Sequence, residues 1–199
     1  MEGDFQVEVK DLDIIAWFEA ELIDMDKGKF LIRYDYSGHE EWVETERIRW
    51  RAPEPDVDLI TYQEGNLVEV KAAVERGQPC GWFEAKIRTI KNGLYFVHYE
   101  EYDSKLDEIV SKDRLRPLNT RSGPETWDYS LTEIKIPSSF QFPSEFDPPQ
   151  IKFREKVGIL ALEFINANVI LLKGIPASVH RAELMIELMI QHHKTLSKY

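Results

Sequence analysis

The sequence predicts a mainly β protein with a C-terminal α+β domain, arranged as two small tandem β-barrels followed by a β-α-β-β-α module. Three observations support this prediction: a tandem repeat in the first 119 residues, short strand patterns within each copy, and a change to dense aliphatic residues in the last third. The predicted domain boundaries are residues 1–52, 62–119 and 125–199.

The repeat consists of matching residues at nearly constant spacing. Trp17-Phe18-Glu19-Ala20 returns as Trp82-Phe83-Glu84-Ala85, and Tyr34 returns as Tyr99 at the same offset of 65 residues. Val43 and Arg47 return 67 residues later, so two residues have been inserted after Tyr99. Shared offsets at separated positions indicate a tandem duplication.

Each copy has the pattern of four or five short strands. In the first copy Phe5, Val7 and Val9 alternate with polar residues, and the strands WFEAELIDMD, KFLIRYDY and EEWVETERIRW follow. The second copy gives NLVEVKAAV, GWFEAKIRTI, LYFVHYEEY and DEIVSKDRLR, with a hairpin turn at Asn92-Gly93. Because so few strands cannot bury both faces of an open sheet, each copy is expected to close into a bent barrel.

The C-terminal segment combines strand and helix patterns. LTEIKI predicts a strand, QIKFREKV a short helix, and ILALEFI with NVILLK a hairpin of buried strands. A second helix is expected from Pro176, with Ser178 as its N-cap. Its apolar face follows helical spacing through Val179, Ala182, Met185, Ile186, Met189, Ile190 and His193, which predicts helices packed on one face of a sheet.

Composition and charge narrow the class of protein. A hydrophobic fraction of 43% excludes wholesale disorder, and the single Cys80 together with the lack of a long apolar run predicts a soluble intracellular protein. Residues 1–119 hold 16 Lys and Arg against 27 Asp and Glu, which accounts for the whole net charge of -11. Such a surface attracts basic peptides and repels phosphate, although a charge that only keeps the protein soluble is the alternative.

Aromatic residues at corresponding strand ends are expected to converge at one open end of each barrel, beside carboxylates. Ring faces near acids suit a methylated ammonium or guanidinium, whereas packing in the core is the alternative role. The candidate cage residues are Trp17, Phe18, Tyr34, Tyr36 and Trp42 in the first barrel and Trp82, Phe83, Tyr99 and Tyr102 in the second. The candidate acidic rim comprises Asp35, Glu40, Glu41, Glu100, Glu101 and Asp103.

These residues carry a resemblance to a known family. The stretch from Trp17 to Arg49 resembles a Tudor/Agenet domain, and PCGWFEAKIRTIKNGLYFVHY with DEIVSKDRLRPLN is similar to the second Tudor domain of the fragile X family (FMRP and its FXR relatives). The chain as a whole resembles that family's N-terminal region, from VEVK near the start to RAELMI near the end. The resemblance implies two Tudor-like barrels followed by a KH-like domain.

The cage residues of that family transfer only in part. Tyr99 matches its cage tyrosine, whereas a second family tyrosine falls on Leu106 and its threonine neighbour on Lys105. One family tryptophan falls on Phe83 and a further aromatic on Lys71, while Tyr102 offers a replacement ring. We therefore expect the first barrel to bind at least as well, so that Tyr34→Ala weakens methylated-peptide binding more than Tyr99→Ala.

RNA contacts have a weaker basis in the sequence. The C-terminal segment lacks the Gly-x-x-Gly loop with which KH domains approach phosphate. The nearest basic group is Lys152, Arg154 and Lys156, for which a solvated helix face is the alternative role.

The resemblance implies a non-enzymatic part of an RNA-binding translational regulator, in cytoplasmic ribonucleoprotein particles and also in the nucleus. The implied partners are methylated basic peptides, mRNA and the ribosome through a longer parent protein, and family members in homo- or hetero-dimers, with no membrane, metal or cofactor. Two alternatives stay open: a scaffold for unmodified proteins with vestigial cages, and a nuclear chromatin reader of methyl-lysine.

Overall fold

The computed structural model describes residues 5–56, 58–73, 75–125 and 129–196. The first barrel consists of β1 (Gln6–Asp11), β2 (Ala16–Asp26), β3 (Lys29–Tyr34), β4 (Glu40–Glu44) and β5 (Ile48–Trp50). Its strands pair antiparallel in the order β5-β1-β2-β3-β4, and a 3-10 turn joins β4 to β5.

The second barrel repeats this arrangement. It consists of β6 (Leu67–Ala72), β7 (Gly81–Lys91), β8 (Leu94–Tyr99), β9 (Glu108–Val110) and β10 (Leu115–Pro117). Its antiparallel order is β10-β6-β7-β8-β9, and a short 3-10 turn again precedes the last strand. The predicted tandem β domains are therefore confirmed.

Strand alternation places one hydrophobic core inside the barrels. In β2 the side chains of Phe18 and Leu22 are buried, and in β3 those of Phe30, Ile32 and Tyr34 point the same way. The corresponding residues of the second barrel belong to the same continuous cluster of buried residues. The two repeats thus share one hydrophobic core and are not two separately packed domains.

Four buried charged residues join the barrels. Glu8 of β1 and Glu69 of β6 are fully buried, and each lies against both Arg49 of β5 and Arg116 of β10. The Arg49 guanidinium lies 2.8 Å from each carboxylate, and the Arg116 guanidinium lies 2.6 Å from each. Since Glu8 and Arg49 correspond to Glu69 and Arg116 in the repeat, this charge quartet has pseudo-two-fold symmetry.

Two tryptophans cover the guanidinium groups of the charge quartet. Trp17 and Trp82 are neighbours across the β2–β7 contact. The guanidinium carbon of Arg49 lies 3.9 Å from the ring centroid of Trp17, and that of Arg116 lies 3.8 Å from the centroid of Trp82. Gly81 allows β7 to approach β2 closely, since a Cβ at this position would lie 3.1 Å from the side chains of Ala16 and Phe18.

The C-terminal module contains β11 (Ser130–Lys135), α1 (Pro149–Val157), β12 (Ala161–Asn166), β13 (Val169–Gly174) and α2 (Pro176–Leu196). The three strands form an antiparallel sheet in the order β11-β13-β12, and both helices pack against it through a second hydrophobic core. The predicted β-α-β-β-α order of elements is observed.

The start of α2 corrects one prediction. Ser178 is not the N-cap, because the backbone N–H groups of Ser178 and Val179 already donate to the carbonyl of Ile175 and the helix begins at Pro176. Proline suits the first helical position because the N–H that it lacks has no intrahelical partner there. The predicted apolar face is confirmed by the burial of Val179, Ala182, Ile186 and Ile190.

The C-terminal module packs against the first barrel. The buried ammonium group of Lys173 lies 2.8 Å from Asp24 of β2 and 2.6 Å from Glu163. Arg154 of α1 lies 2.9 Å from Glu21, also on β2. These ion pairs place the first barrel between the second barrel and the C-terminal module.

The charge quartet generates a prediction for stability. Arg116→Met leaves two buried carboxylates with one arginine, and we expect the free energy of unfolding to fall by about 3–5 kcal/mol. The matched control is Arg33→Met, which removes a half-exposed ion pair with Glu40 and should cost less than about 1 kcal/mol. Urea unfolding followed by tryptophan fluorescence measures both, and equal losses would contradict the structural role of the quartet.

The same charges predict acid sensitivity. Burial alone would raise the pKa of Glu8, but hydrogen bonds and charges from Arg116, Arg49 and Asn119 outweigh it and hold the pKa below its ordinary value. A carboxyl whose pKa is lower in the folded state than in the unfolded state stabilises the folded protein at pH values above the unfolded-state pKa. This stabilisation is lost as the pH falls toward the folded-state pKa.

We therefore expect the free energy of unfolding to fall below about pH 5. Glu8→Gln should flatten this slope, measured by urea titrations at several pH values, whereas the exposed Glu54→Gln should not. An unchanged slope in the Glu8 variant would show that other carboxyls carry the acid sensitivity.

Candidate functional site

Three aromatic rings of the second barrel surround a cavity of about 180 Å³. The ring centroids of Phe83, Tyr99 and Tyr102 lie 5.8 to 6.4 Å apart, and their planes are inclined at 60° to 76°. The remaining lining residues are Ala72, Ala73, Leu106 and Glu108. Inclined rings at this spacing form the walls of a small apolar chamber rather than a stack.

The fold positions each of these rings. Phe83 lies on the inward face of β7, and Tyr99 is the last residue of β8. Tyr102 belongs to the loop that holds the two-residue insertion, and its N–H donates to the carbonyl of Tyr99 at 3.2 Å. Leu106 ends the 3-10 turn of the same loop, which is capped by the Asp103 side chain. The loop that follows β8 therefore supplies two walls of the cavity.

A tyrosine–glutamate–arginine network supports the cavity wall. The Tyr99 hydroxyl donates to Oε1 of Glu108, and the Arg114 guanidinium donates to both Glu108 carboxylate oxygens at 2.7 and 3.1 Å. Burial and the Glu108 carboxylate raise the pKa of Tyr99. Burial alone would raise the pKa of Glu108, but hydrogen bonds from Arg114 and Tyr99 hold it below its ordinary value. At neutral pH the network is a neutral phenol, a carboxylate and a guanidinium.

The first barrel contains the same network with different surroundings. The Tyr34 hydroxyl donates to Glu41 at 2.8 Å, and Arg47 donates to the same carboxylate at 2.9 Å. The exposed ring of Tyr36 lies 5.4 Å from that of Tyr34 and 5.7 Å from that of Phe18. Phe18, Tyr34 and Tyr36 are thus brought together.

The structure places three predicted cage residues elsewhere. Trp17 and Trp82 lie on the face of their strands opposite to Phe18 and Phe83. They stack on the arginines of the charge quartet, so their ring faces are already covered by cations. Trp42 lies on the outward face of β4 opposite Leu31, because Glu41 and Val43 on either side of it point inward. These three residues do not belong to the ring clusters.

The predicted acidic rim is largely engaged within the protein. Asp35 lies 2.6 Å from Arg51, Glu40 lies 2.8 Å from Arg33, and Glu41 belongs to the tyrosine network. Asp103 accepts the N–H of Lys105 in its own turn. Glu100 and Glu101 are exposed and directly precede Tyr102 in the sequence.

The candidate RNA contacts do not form one surface. Arg154 is held in its ion pair with Glu21 of the first barrel, while Lys152 and Lys156 are exposed on α1. The sequence pattern missed this because a basic residue that joins two domains looks like any other solvated helix residue.

A second hollow of about 300 Å³ lies between the barrels. Phe18 of the first barrel and Phe83 of the second both line it, together with Glu75, Gln78, Pro79 and Ile14. Phe83 therefore belongs to the linings of both hollows. The Tyr102 hydroxyl donates to the carbonyl of Ile14, which ties the cage loop to the first barrel.

No group of three or more His, Cys, Asp or Glu side chains within residues 5–56, 58–73, 75–125 and 129–196 is placed to hold a metal ion. Within the same ranges no helix is long and apolar enough to span a membrane.

Sequence reasoning missed Glu108 and Arg114 as parts of the site. Both have counterparts 67 residues earlier, Glu41 and Arg47. The repeat therefore held a signal for the network, because a tyrosine, a glutamate and an arginine recur together in both copies.

Comparison with solved structures finds similar folds. The chain is similar to the AGD34 segment of AGDP1 from Arabidopsis thaliana (19% identity, 57% of this chain and 80% of that chain, TM-score 0.47). It is also similar to the tandem Agenet domain 3-4 of ADCP1 (19%, 58% and 79%, TM-score 0.44). A third similar structure is the SHH1 SAWADEE domain in complex with an H3K9me3 peptide (19%, 58% and 98%, TM-score 0.41).

Comparison with family models gives a match to the Agenet domain at residues 5–54 and 65–120. The two matched segments coincide with the two five-stranded barrels. Together they cover more than half of the chain, and the chain therefore belongs to the Agenet domain family.

Proposed function

We propose that this chain is a non-enzymatic reader of methylated lysine in basic protein segments such as histone tails, and that the second barrel binds the methylated ammonium group. The observation that carries the proposal is the cavity enclosed by Phe83, Tyr99 and Tyr102. Its shape and chemistry suit a small cation of low hydration.

The aromatic faces favour a methylated over an unmethylated lysine. Ring quadrupoles attract a cation within about 6 Å of the centroid, and the gain is larger where the cation has little hydration to lose. Apart from Glu108, the remaining lining residues are the apolar Ala72, Ala73 and Leu106, which match N-methyl groups. An unmethylated ammonium would lose its strong hydration in this chamber without enough new hydrogen bonds.

Charge supports a basic protein segment as the ligand. Both barrels lie within residues 1–119, which hold 16 Lys and Arg against 27 Asp and Glu. Glu100 and Glu101, which directly precede the cavity residue Tyr102 in the sequence, are exposed. This surface attracts lysine-rich and arginine-rich tails and repels the phosphates of a nucleic acid.

The cavity favours the second barrel, whereas the sequence predicted the first to bind at least as well. In the first barrel the Tyr36 ring lies against Phe18 and Tyr34, and His39 stacks parallel to Tyr34 at 6.5 Å. In the second barrel the longer loop holds Tyr102 and Leu106 around an open space. We therefore expect Tyr99→Ala to weaken the binding of methylated peptides more than Tyr34→Ala does. This order is the reverse of the one that the sequence predicted.

The more specific readings remain predictions. The family match is to the Agenet domain. This match does not extend to three of the predictions: membership of the fragile X family, a KH-like C-terminal module, and mRNA, ribosome and dimer partners. A reader of histone tails acts in the nucleus, and we propose that location for this chain in preference to cytoplasmic ribonucleoprotein particles.

The proposal predicts a specific loss on removing one ring. Tyr102→Leu takes away an aromatic face but keeps an apolar side chain, and we expect affinity for a trimethyl-lysine peptide to fall about tenfold, or about 1.4 kcal/mol. Affinity for the unmethylated peptide should change little. Isothermal titration calorimetry with a matched pair of peptides measures both.

Two matched variants serve as controls for this prediction. Tyr102→Phe keeps the ring but removes the hydroxyl that bonds the Ile14 carbonyl, so it should keep the preference for methylation. Tyr36→Leu makes the corresponding change in the first barrel, and this variant should also keep the preference for the methylated peptide. If the wild-type chain binds both peptides equally, the chain is a scaffold for unmodified partners and the proposal is wrong.

A further inference from the structure

The hollow between the barrels has apolar walls from both copies of the repeat. Phe18 corresponds to Phe83 and Ile14 to Pro79, at the repeat offset of 65 residues, and all four residues line the hollow. The side chains of Phe18 and Phe83 belong to the shared core and are only 4% and 5% exposed. The hollow therefore presents ring surfaces that the core holds in place.

The remaining lining residues supply hydrogen-bond acceptors. Glu75 and Gln78 are both exposed, and the N–H of Gln78 donates to the carbonyl of Glu75 at 3.1 Å, so a single turn presents both side chains. In the part of the chain that the structure describes, the Glu75 carboxylate has no ion-pair partner. This carboxylate is therefore available to a ligand, unlike those of Asp35 and Glu40, which are paired with arginines.

Aromatic walls beside a carboxylate and an amide match a guanidinium group. Its flat faces are weakly hydrated and stack on rings, while its N–H groups donate in the plane to carboxylate and amide oxygens. The chain already uses this stacking, since the guanidinium carbon of Arg49 lies 3.9 Å from the ring centroid of Trp17. A lysine ammonium has no flat face and is strongly hydrated, and an aliphatic side chain would leave the acceptors unused.

The hollow and the cavity of the second barrel are close enough for one peptide to occupy both. Phe83 lines both spaces, and the hydroxyl of the cavity residue Tyr102 donates to the carbonyl of Ile14, which lines the hollow. A ring with ligand atoms against both of its sides spans about 7–8 Å. In an extended peptide, side chains two residues apart lie on the same side and about 7 Å from each other.

We propose that the hollow between the barrels binds an unmodified arginine located two residues from the methylated lysine. This inference rests on the proposed function and specifies the sequence around its ligand. Phe18 and Phe83 contact the faces of the guanidinium, and Glu75 accepts its hydrogen bonds. The chain thus recognises a methyl-lysine only in an arginine-containing sequence, through one side chain in each space.

The test uses the full chain and trimethyl-lysine peptides with arginine either two residues before or two residues after the lysine, because a peptide can cross the two spaces in either direction. Each peptide has a partner in which citrulline replaces the arginine, which keeps the planar shape but removes the charge. By calorimetry we expect arginine to bind about tenfold more tightly than citrulline in one of the two placements. An arginine five residues from the lysine should give a ratio below about threefold.

Two variants assign this ratio to the hollow. Glu75→Gln removes the carboxylate and should reduce the ratio to less than about threefold, while the preference for trimethylated over unmethylated lysine persists. Glu155→Gln removes the same charge from an exposed position on α1 and should leave both preferences unchanged.

A further variant keeps the proposal testable if Glu75→Gln does not fold, as judged by thermal unfolding. Gln78→Arg places a guanidinium of the chain itself beside Glu75, and it should also remove the preference for arginine. Equal binding of the arginine and citrulline peptides in both placements, or an arginine preference that survives these variants, would overturn this inference and leave methyl-lysine reading intact. Equal binding of trimethylated and unmethylated peptides would instead overturn the proposed function.

Discussion

The arrangement of the two barrels depends on four charges removed from water. Glu8, Glu69, Arg49 and Arg116 form ion pairs across the interface only when both barrels are present and correctly oriented. A hydrophobic interface tolerates small rotations, whereas each carboxylate here needs two guanidinium groups at hydrogen-bonding distance, and a buried charge without a partner is costly. The quartet therefore fixes the orientation of the barrels, and with it the position of Phe18 relative to Phe83 in the hollow between them.

The same constraint explains why the most conspicuous aromatic residues are not binding residues. Trp17 and Trp82 shield the guanidinium groups of Arg49 and Arg116 and supply ring faces to them. Their neighbours in sequence, Phe18 and Phe83, point to the other side of the strands and line the hollows. Strand alternation thus divides each Trp-Phe pair into one ring for the barrel interface and one for the candidate site.

The sequence predicted the duplication, the strands and the central tyrosines, because these depend on local patterns that recur. It did not predict the charge quartet: Glu8 between Val7 and Val9 looks like the solvent-facing residue of a half-buried strand. Only the pairing of two barrels buries that face, and periodicity within one strand holds no information about it. The VEVK motif at residues 7–10 and 68–71 was a usable signal, because a repeat preserved a charged residue inside an apolar strand.

The two copies differ in their surroundings within the chain. The first barrel contacts the second through the charge quartet and the C-terminal module through Asp24 and Glu21, so two of its surfaces are occupied by the rest of the chain. In the second barrel the loop after β8 is two residues longer, and its residues Tyr102 and Leu106 line a cavity beside the tyrosine network that both copies share. The hydrogen bond from Tyr102 to the Ile14 carbonyl couples the loop that lines this cavity to the first barrel.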